Sequence, residues 1–124
     1  MAIFLVHGDD TGTRGTVARF LERTAPDNLR AVMLDELANK GRPLLEKLEQ
    51  HAGDAKYAVV LLTGDDVGGE STNKLNPRAR QNVVLELGWF CGEIGRDNVA
   101  VFYQNGVERP SDMEGLVYIP LAGD

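Results

Sequence analysis

With 124 residues the chain has room for one domain around one core, and 43% hydrophobic with 26% charged residues excludes an intrinsically disordered chain. A formal net charge of -6 excludes a nucleic-acid backbone as the main partner, because neutralising phosphates takes a clustered cationic surface. The single cysteine, Cys91, excludes an internal disulfide and reads as a small buried hydrophobe in a helix, which suits a reducing cytosol. His7 and His51 stand apart, with no Cys or second His at ligand spacing, so no metal site is expected. The opening run AIFLV is too short and lacks the basic flank of a secretory signal, and no stretch approaches the length of a spanning helix. The expectation is a soluble cytoplasmic domain, without a membrane partner.

In chain order, Ala2 to Val6 predicts a buried strand that ends in His-Gly-Asp-Asp. Residues 13 to 24 place Val17, Phe20 and Leu21 at helical spacing. Arg30 to Leu34 predicts a second strand, and Asp35 to Arg42 a polar connector. Pro43 then opens a second helix whose inward stripe is Leu44, Leu45 and Leu48. The run YAVVLL, Tyr57 to Leu62, is continuously apolar, as a central parallel strand should be. Thr63 to Asn76 predicts a long polar loop, with Asn76 capping and Pro77 opening a third helix. Val99 to Tyr103 and Leu116 to Leu121 complete five strands. Strands alternating with helices imply an α/β fold of flavodoxin-like type: a five-stranded parallel sheet with helices on both faces, one domain over 1–124. Such sheets bind ligands at the carboxyl ends of their strands, which nominates His7 to Thr13, Asp35 to Arg42 and Thr63 to Asn76.

The third helix poses a question. Val83, Leu87, Phe90 and Ile94 make one stripe, and at roughly 100° per residue Glu86 falls roughly 70° from its centre, on a flank shared with Asn82 and Glu93. That flank is the margin of a pocket if the helix lines one, and burial there disfavours a charged carboxylate unless hydrogen bonds or a cationic ligand compensate. Periodicity alone leaves the ordinary alternative open, a solvated flank residue. The glycines at 8, 12 and 15 do not have dinucleotide-fingerprint spacing.

Taken together, IFLVHG, YAVVLLTGDDVG, RARQNVVLELGWFCGEIGRDNV and PSDMEGLVYIPL resemble, in this order and over nearly the whole chain, the bacterial TIR-like domains described as predicted nucleotide-binding proteins. Some of these are fused to STING in antiphage cyclic-oligonucleotide signalling. The resemblance implies a TIR fold, cleavage of NAD+ between nicotinamide and ribose, and a catalytic glutamate on the third helix, which here is Glu86. It also implies NAD+ as substrate rather than as a cofactor, self-assembly into a homo-oligomer or filament through TIR–TIR contacts, and a fused STING-like or other sensor module. His7 and Gly8 would lie in the loop after the first strand, with Asp9 where members of the family often have Arg. Residues 37 to 42 would take the place of the loop that gates the site in TIR domains.

The chemistry makes a single carboxylate plausible on physical grounds, beside the resemblance. Most glycosidases need a second as a general acid for an alkoxide leaving group. Nicotinamide departs as a neutral pyridine and needs no proton, so what remains is an oxocarbenium-like ribose that a preoriented anion stabilises. The pyrophosphate of NAD+ needs cationic side chains or backbone N–H groups; Arg80 and Arg42 are candidates, with Arg78 behind them. Asn82 joins the substrate-contact set from its place beside Glu86, and Trp89 either faces a ring of the substrate or packs against a neighbouring protomer. Two alternatives stand beside this reading: a nucleoside deoxyribosyltransferase-like enzyme, and a non-catalytic TIR interaction module.

Overall fold

Both faces of the sheet in this chain are covered, so its strands carry unbroken apolar runs with no solvent side to alternate against. The computed structural model describes residues 2–8, 17, 19, 21–23, 30–33, 44–52, 55–69, 71–79, 81–110 and 115–121. The strands among them are β1 (Ala2–Val6), β2 (Arg30–Met33), β3 (Tyr57–Leu62), β4 (Asp66–Gly68), β5 (Asn76–Arg78), β6 (Val99–Tyr103) and β7 (Val117–Pro120). Five of them form one sheet in the order β2-β1-β3-β6-β7. Every neighbouring pair in it is parallel, as expected.

Successive residues of each strand go to opposite faces. Phe4, Val6, Ala58, Val60, Leu62 and Val101 pack on one face against Leu48 and Ala52 of a short helix, Leu44–Ala52, and against Val83, Leu87 and Phe90 of a long one, Gln81–Ile94. Leu5, Val59 and Leu61 turn to the other face and meet Val17 and Leu21, which are helical as predicted. The expected stripe of the short helix is seen at Leu48; the side chains of Leu44 and Leu45, the position of Phe20 and the connector from 35 to 42 lie outside the described residues.

The segment after β3 is not the plain loop expected. β4 and β5 pair antiparallel as a small ribbon, and the long helix begins at Gln81 rather than at Pro77. Pro77 looked like a helix opener because its fixed φ suits a first turn, but it sits in β5 opposite Val67. Its carbonyl accepts the N–H of Glu108 at 2.8 Å, on the side away from β4. At such an outward position the nitrogen owes the ladder no donor, so proline is tolerated. The guanidinium of Arg78 engages the carboxylate of Glu108 and ties the ribbon to the same loop.

At the far edge of the sheet, Leu121 N–H donates to Tyr103 O at 2.8 Å. Neighbouring residues of a strand point their backbone groups to opposite sides, so the nitrogen of Pro120 faces the open edge. Replacing Leu87, which is fully buried between helix and sheet, by alanine is expected to lower the unfolding free energy by about 2–5 kcal/mol. Urea denaturation checks this, and a loss below about 1 kcal/mol would contradict the described packing.

Candidate active site

Glu86 is the one carboxylate on the inward side of the long helix, and the structure buries it to 6% exposure among Val83, Leu87 and Phe90. The solvated-flank alternative is thereby removed. Asn82, one turn earlier, directs its amide Nδ2 at Glu86 Oε1 across 3.4 Å. The helix follows β3 and starts at the carboxyl end of the sheet; at 1.5 Å per residue Glu86 lies about 7.5 Å along its axis from Gln81. A carboxylate in that position works in reduced dielectric, where its field on a developing cation is stronger than in water.

The same end of the sheet carries His7 and Gly8 after β1, both half-buried. His7 Nδ1 lies 2.8 Å from Gly8 O, a contact that fits the tautomer protonated at Nδ1. Beside them the segment after β3 is tied down. Thr63 is buried and its Oγ1 donates to Asp65 Oδ2 at 2.5 Å. Asp65 N–H donates to Thr63 O at 2.8 Å, and Gly64 N–H to the side-chain oxygen of Gln104 at 2.9 Å. A Cβ on Gly8 would run into the Asp65 carboxylate, so glycine is required for β1 and Asp65 to come this close.

The structure thus brings His7 and Gly8 to the carboxyl end of β1 and puts Asn82 in contact with Glu86. Asp9, Arg42 and Arg80 lie outside the described residues. Trp89 is half-buried, with its ring at 88° and 5.0 Å from that of Phe90, a packing contact within the chain. Arg78 is engaged by Glu108 away from Glu86. Thr63 and Asp65 were missed by sequence reasoning: the segment that holds them was nominated, but in TGDD nothing singles out Asp65 from Asp66. Its place directly after the central strand, level with the Gly after β1, was the available signal.

A cleft of about 450 Å³ opens where Arg78, Gln81, Val84, Leu85, Arg109 and Pro110 meet. At roughly 100° per residue, the helix positions that line it are centred roughly 150° around the axis from Glu86. It belongs to the opposite flank of the helix. Arg109 is held over the rings of Tyr103 and Tyr118, 5.3 Å from each centroid. Among the described residues no group of three or more His, Cys, Asp or Glu side chains is placed to hold a metal, and no helix is long and apolar enough to cross a membrane.

Burial pushes the Cys91 thiol up, with Arg96 opposing. The native state therefore favours the protonated thiol: this contribution to stability is in place below the ordinary thiol pKa of about 8.5 and is lost as pH rises through the native value. Alkylation of Cys91 by iodoacetamide at pH 7.5 is expected to be at least about tenfold slower in the folded protein than in urea. Equal rates would show an exposed, reactive thiol.

Comparison with known proteins places this geometry. A family model described as "CAP12/Pycsar effector protein, TIR domain" matches residues 2–123. The uncharacterized protein YuaY of Escherichia coli (strain K12) is 41% identical over 120 residues, covering 96% of this chain and 39% of YuaY. Protein tirC of Dictyostelium discoideum is 30% identical over 135 residues, 98% of this chain and 65% of tirC. The Pycsar effector protein BcPycTIR of Burkholderia cepacia is 37% identical over 82 residues, 64% of this chain and 27% of BcPycTIR. The chain spans from about a quarter to about two thirds of the length of these relatives.

Proposed function

The chain belongs to the CAP12/Pycsar effector TIR-domain family, and on that premise we propose that it is an NAD+ glycohydrolase domain cleaving the bond between nicotinamide and ribose. The observation that carries the reading is the burial of Glu86 on the apolar side of a helix that starts at the ligand-binding end of a parallel sheet. A buried carboxylate is costly unless it is partnered, and Glu86 has partners, Asn82 among them, that hold it where it can also meet a positive ligand. NAD+ brings that charge on its nicotinamide, and the charge passes to the ribose as the bond breaks.

The steps balance with one acidic side chain. The electron pair of the glycosidic bond leaves with nicotinamide, which becomes neutral and takes no proton. The anomeric carbon becomes electron-poor, and Glu86 stabilises it by its field or by transient bonding. Water adds to that carbon and loses a proton, giving ADP-ribose, or an internal nucleophile closes the ring instead. Asn82, donating to Glu86 Oε1, keeps the carboxylate in one rotamer, so little reorganisation is needed when the charge develops.

Relatives named as Pycsar effectors, together with CD-NTase-associated protein 12 of Sphingobacterium faecium, support a role as an antiphage effector domain, and depletion of NAD+ is the action that the Glu86 chemistry would give it. In that role a sensor module clusters the domains and the cell's cytoplasm is the site of action. The interaction-module alternative gives no reason to bury an acid at this helical position.

Glu86→Ala is expected to reduce NAD+ turnover at least about 100-fold, with the circular dichroism spectrum unchanged. Turnover by the variant within a few-fold of wild type would sink the proposal. Specific activity is also expected to rise steeply when the chain is clustered on a scaffold, and a constant value from dilute to crowded solution would count against activation by assembly.

A further inference from the structure

The strand order β2-β1-β3-β6-β7 changes direction between β1 and β3. At such a point in an open parallel sheet the connections leave toward opposite faces, and a crevice forms outside the two carboxyl ends. The residues that stand there are His7 and Gly8 on one side and Thr63, Gly64 and Asp65 on the other. Asp65 takes up the space that a side chain on Gly8 would fill. Its Oδ2 accepts from Thr63, whose 2% exposure fixes the position of that donor. Its Oδ1 accepts no hydrogen bond among the described residues, and its backbone is pinned by the bonds at Asp65 N and Gly64 N. An anion so firmly oriented, with one oxygen engaged and the other presented, is not used by the Glu86 chemistry.

We propose that Asp65 is the sugar-binding residue of this site: its Oδ1 accepts the hydroxyl hydrogens of a ribose, so that the ligand is a riboside and not a deoxyriboside. This rests on the reading of the carboxyl end as the substrate site. An ionised carboxylate only accepts, so it repels a phosphate and selects a part of the ligand rich in donors. A ribose offers neighbouring hydroxyls, and Oδ1 has lone pairs for two of them. In dinucleotide-binding sheets an acidic residue accepts the ribose hydroxyl at the same end of the fold, although from a different strand. Once a site is built to pair with a hydroxyl, a ligand lacking it leaves the carboxylate unpaired, which is why such sites discriminate strongly. Asp65 therefore sets the substrate class of the Glu86 site, and argues for NAD+ over a deoxynucleoside.

The test measures turnover of NAD+ by the clustered wild type and by Asp65→Asn, together with NAD+ analogues in which each ribose in turn lacks one hydroxyl. Asp65→Asn is expected to raise KM for NAD+ about tenfold or more, the effect of losing a hydrogen bond to a charged group, with kcat within a few-fold. That penalty should vanish on one of the deoxy analogues, where the wild type is already weak. A penalty that is the same on every analogue, or a fall in kcat with KM unchanged, would overturn the assignment. If NAD+ is not cleaved at all, the function proposed above fails separately, and binding of adenosine against 2'-deoxyadenosine is followed by NMR. A riboside preference that disappears in Asp65→Asn upholds the inference, and equal binding of the two by the wild type defeats it.

Discussion

A parallel sheet with both faces buried leaves polar chemistry very few places to go, and most of what this chain does follows from that constraint. Phe4, Val6, Val60, Leu62 and Val101 on one side, with Leu5, Val59 and Leu61 on the other, fill the interior with aliphatic and aromatic groups. A charged side chain cannot be carried mid-strand without a partner. The groups that can touch a ligand are therefore gathered where the strands stop. His7, Gly8, Thr63 and Asp65 are there because the strands before them have run out of core to line. Glu86 is carried into the interior by a helix instead, where it is partnered, Asn82 being one of the groups it meets.

Much of this was legible in the sequence because each element has its own periodicity. The parallel strands show as unbroken apolar runs, and their observed ends differ from the expected ones by at most a residue. The long helix shows as a stripe through Val83, Leu87 and Phe90, and the place of Glu86 beside that stripe already raised the question that its burial answers. What periodicity could not show was whether the flank it occupies faces water or neighbours, since that depends on what packs there from elsewhere in the chain. The ribbon of β4 and β5 was hidden for a related reason. Its pairing joins residues ten or so apart through backbone groups, and Pro77 carries the same local signature at the start of a helix as on the outward side of a strand. Asp65 was unreadable because its distinction is topological: it matters by standing across from Gly8, a neighbour that only the strand order reveals.

On the function proposed above, the two carboxylates would divide the labour a ribosyl substrate demands. Glu86, inside and held by Asn82, has the environment to act on a charge that appears only during reaction. Asp65, just after the carboxyl end of β3 and fixed by Thr63, would recognise hydroxyls that are present throughout. Separating recognition from chemistry in this way would let binding energy from the sugar position the scissile bond without spending the proposed catalytic anion on ground-state contacts.

The nitrogen of Pro120 on the outer side of β7 has a bearing on what could pair with that edge of the sheet. An incoming strand would need a donor from that position and would find a ring instead, so the β7 edge of the five-stranded sheet resists growth by edge-on strand pairing, the route that leads to amyloid-like threads.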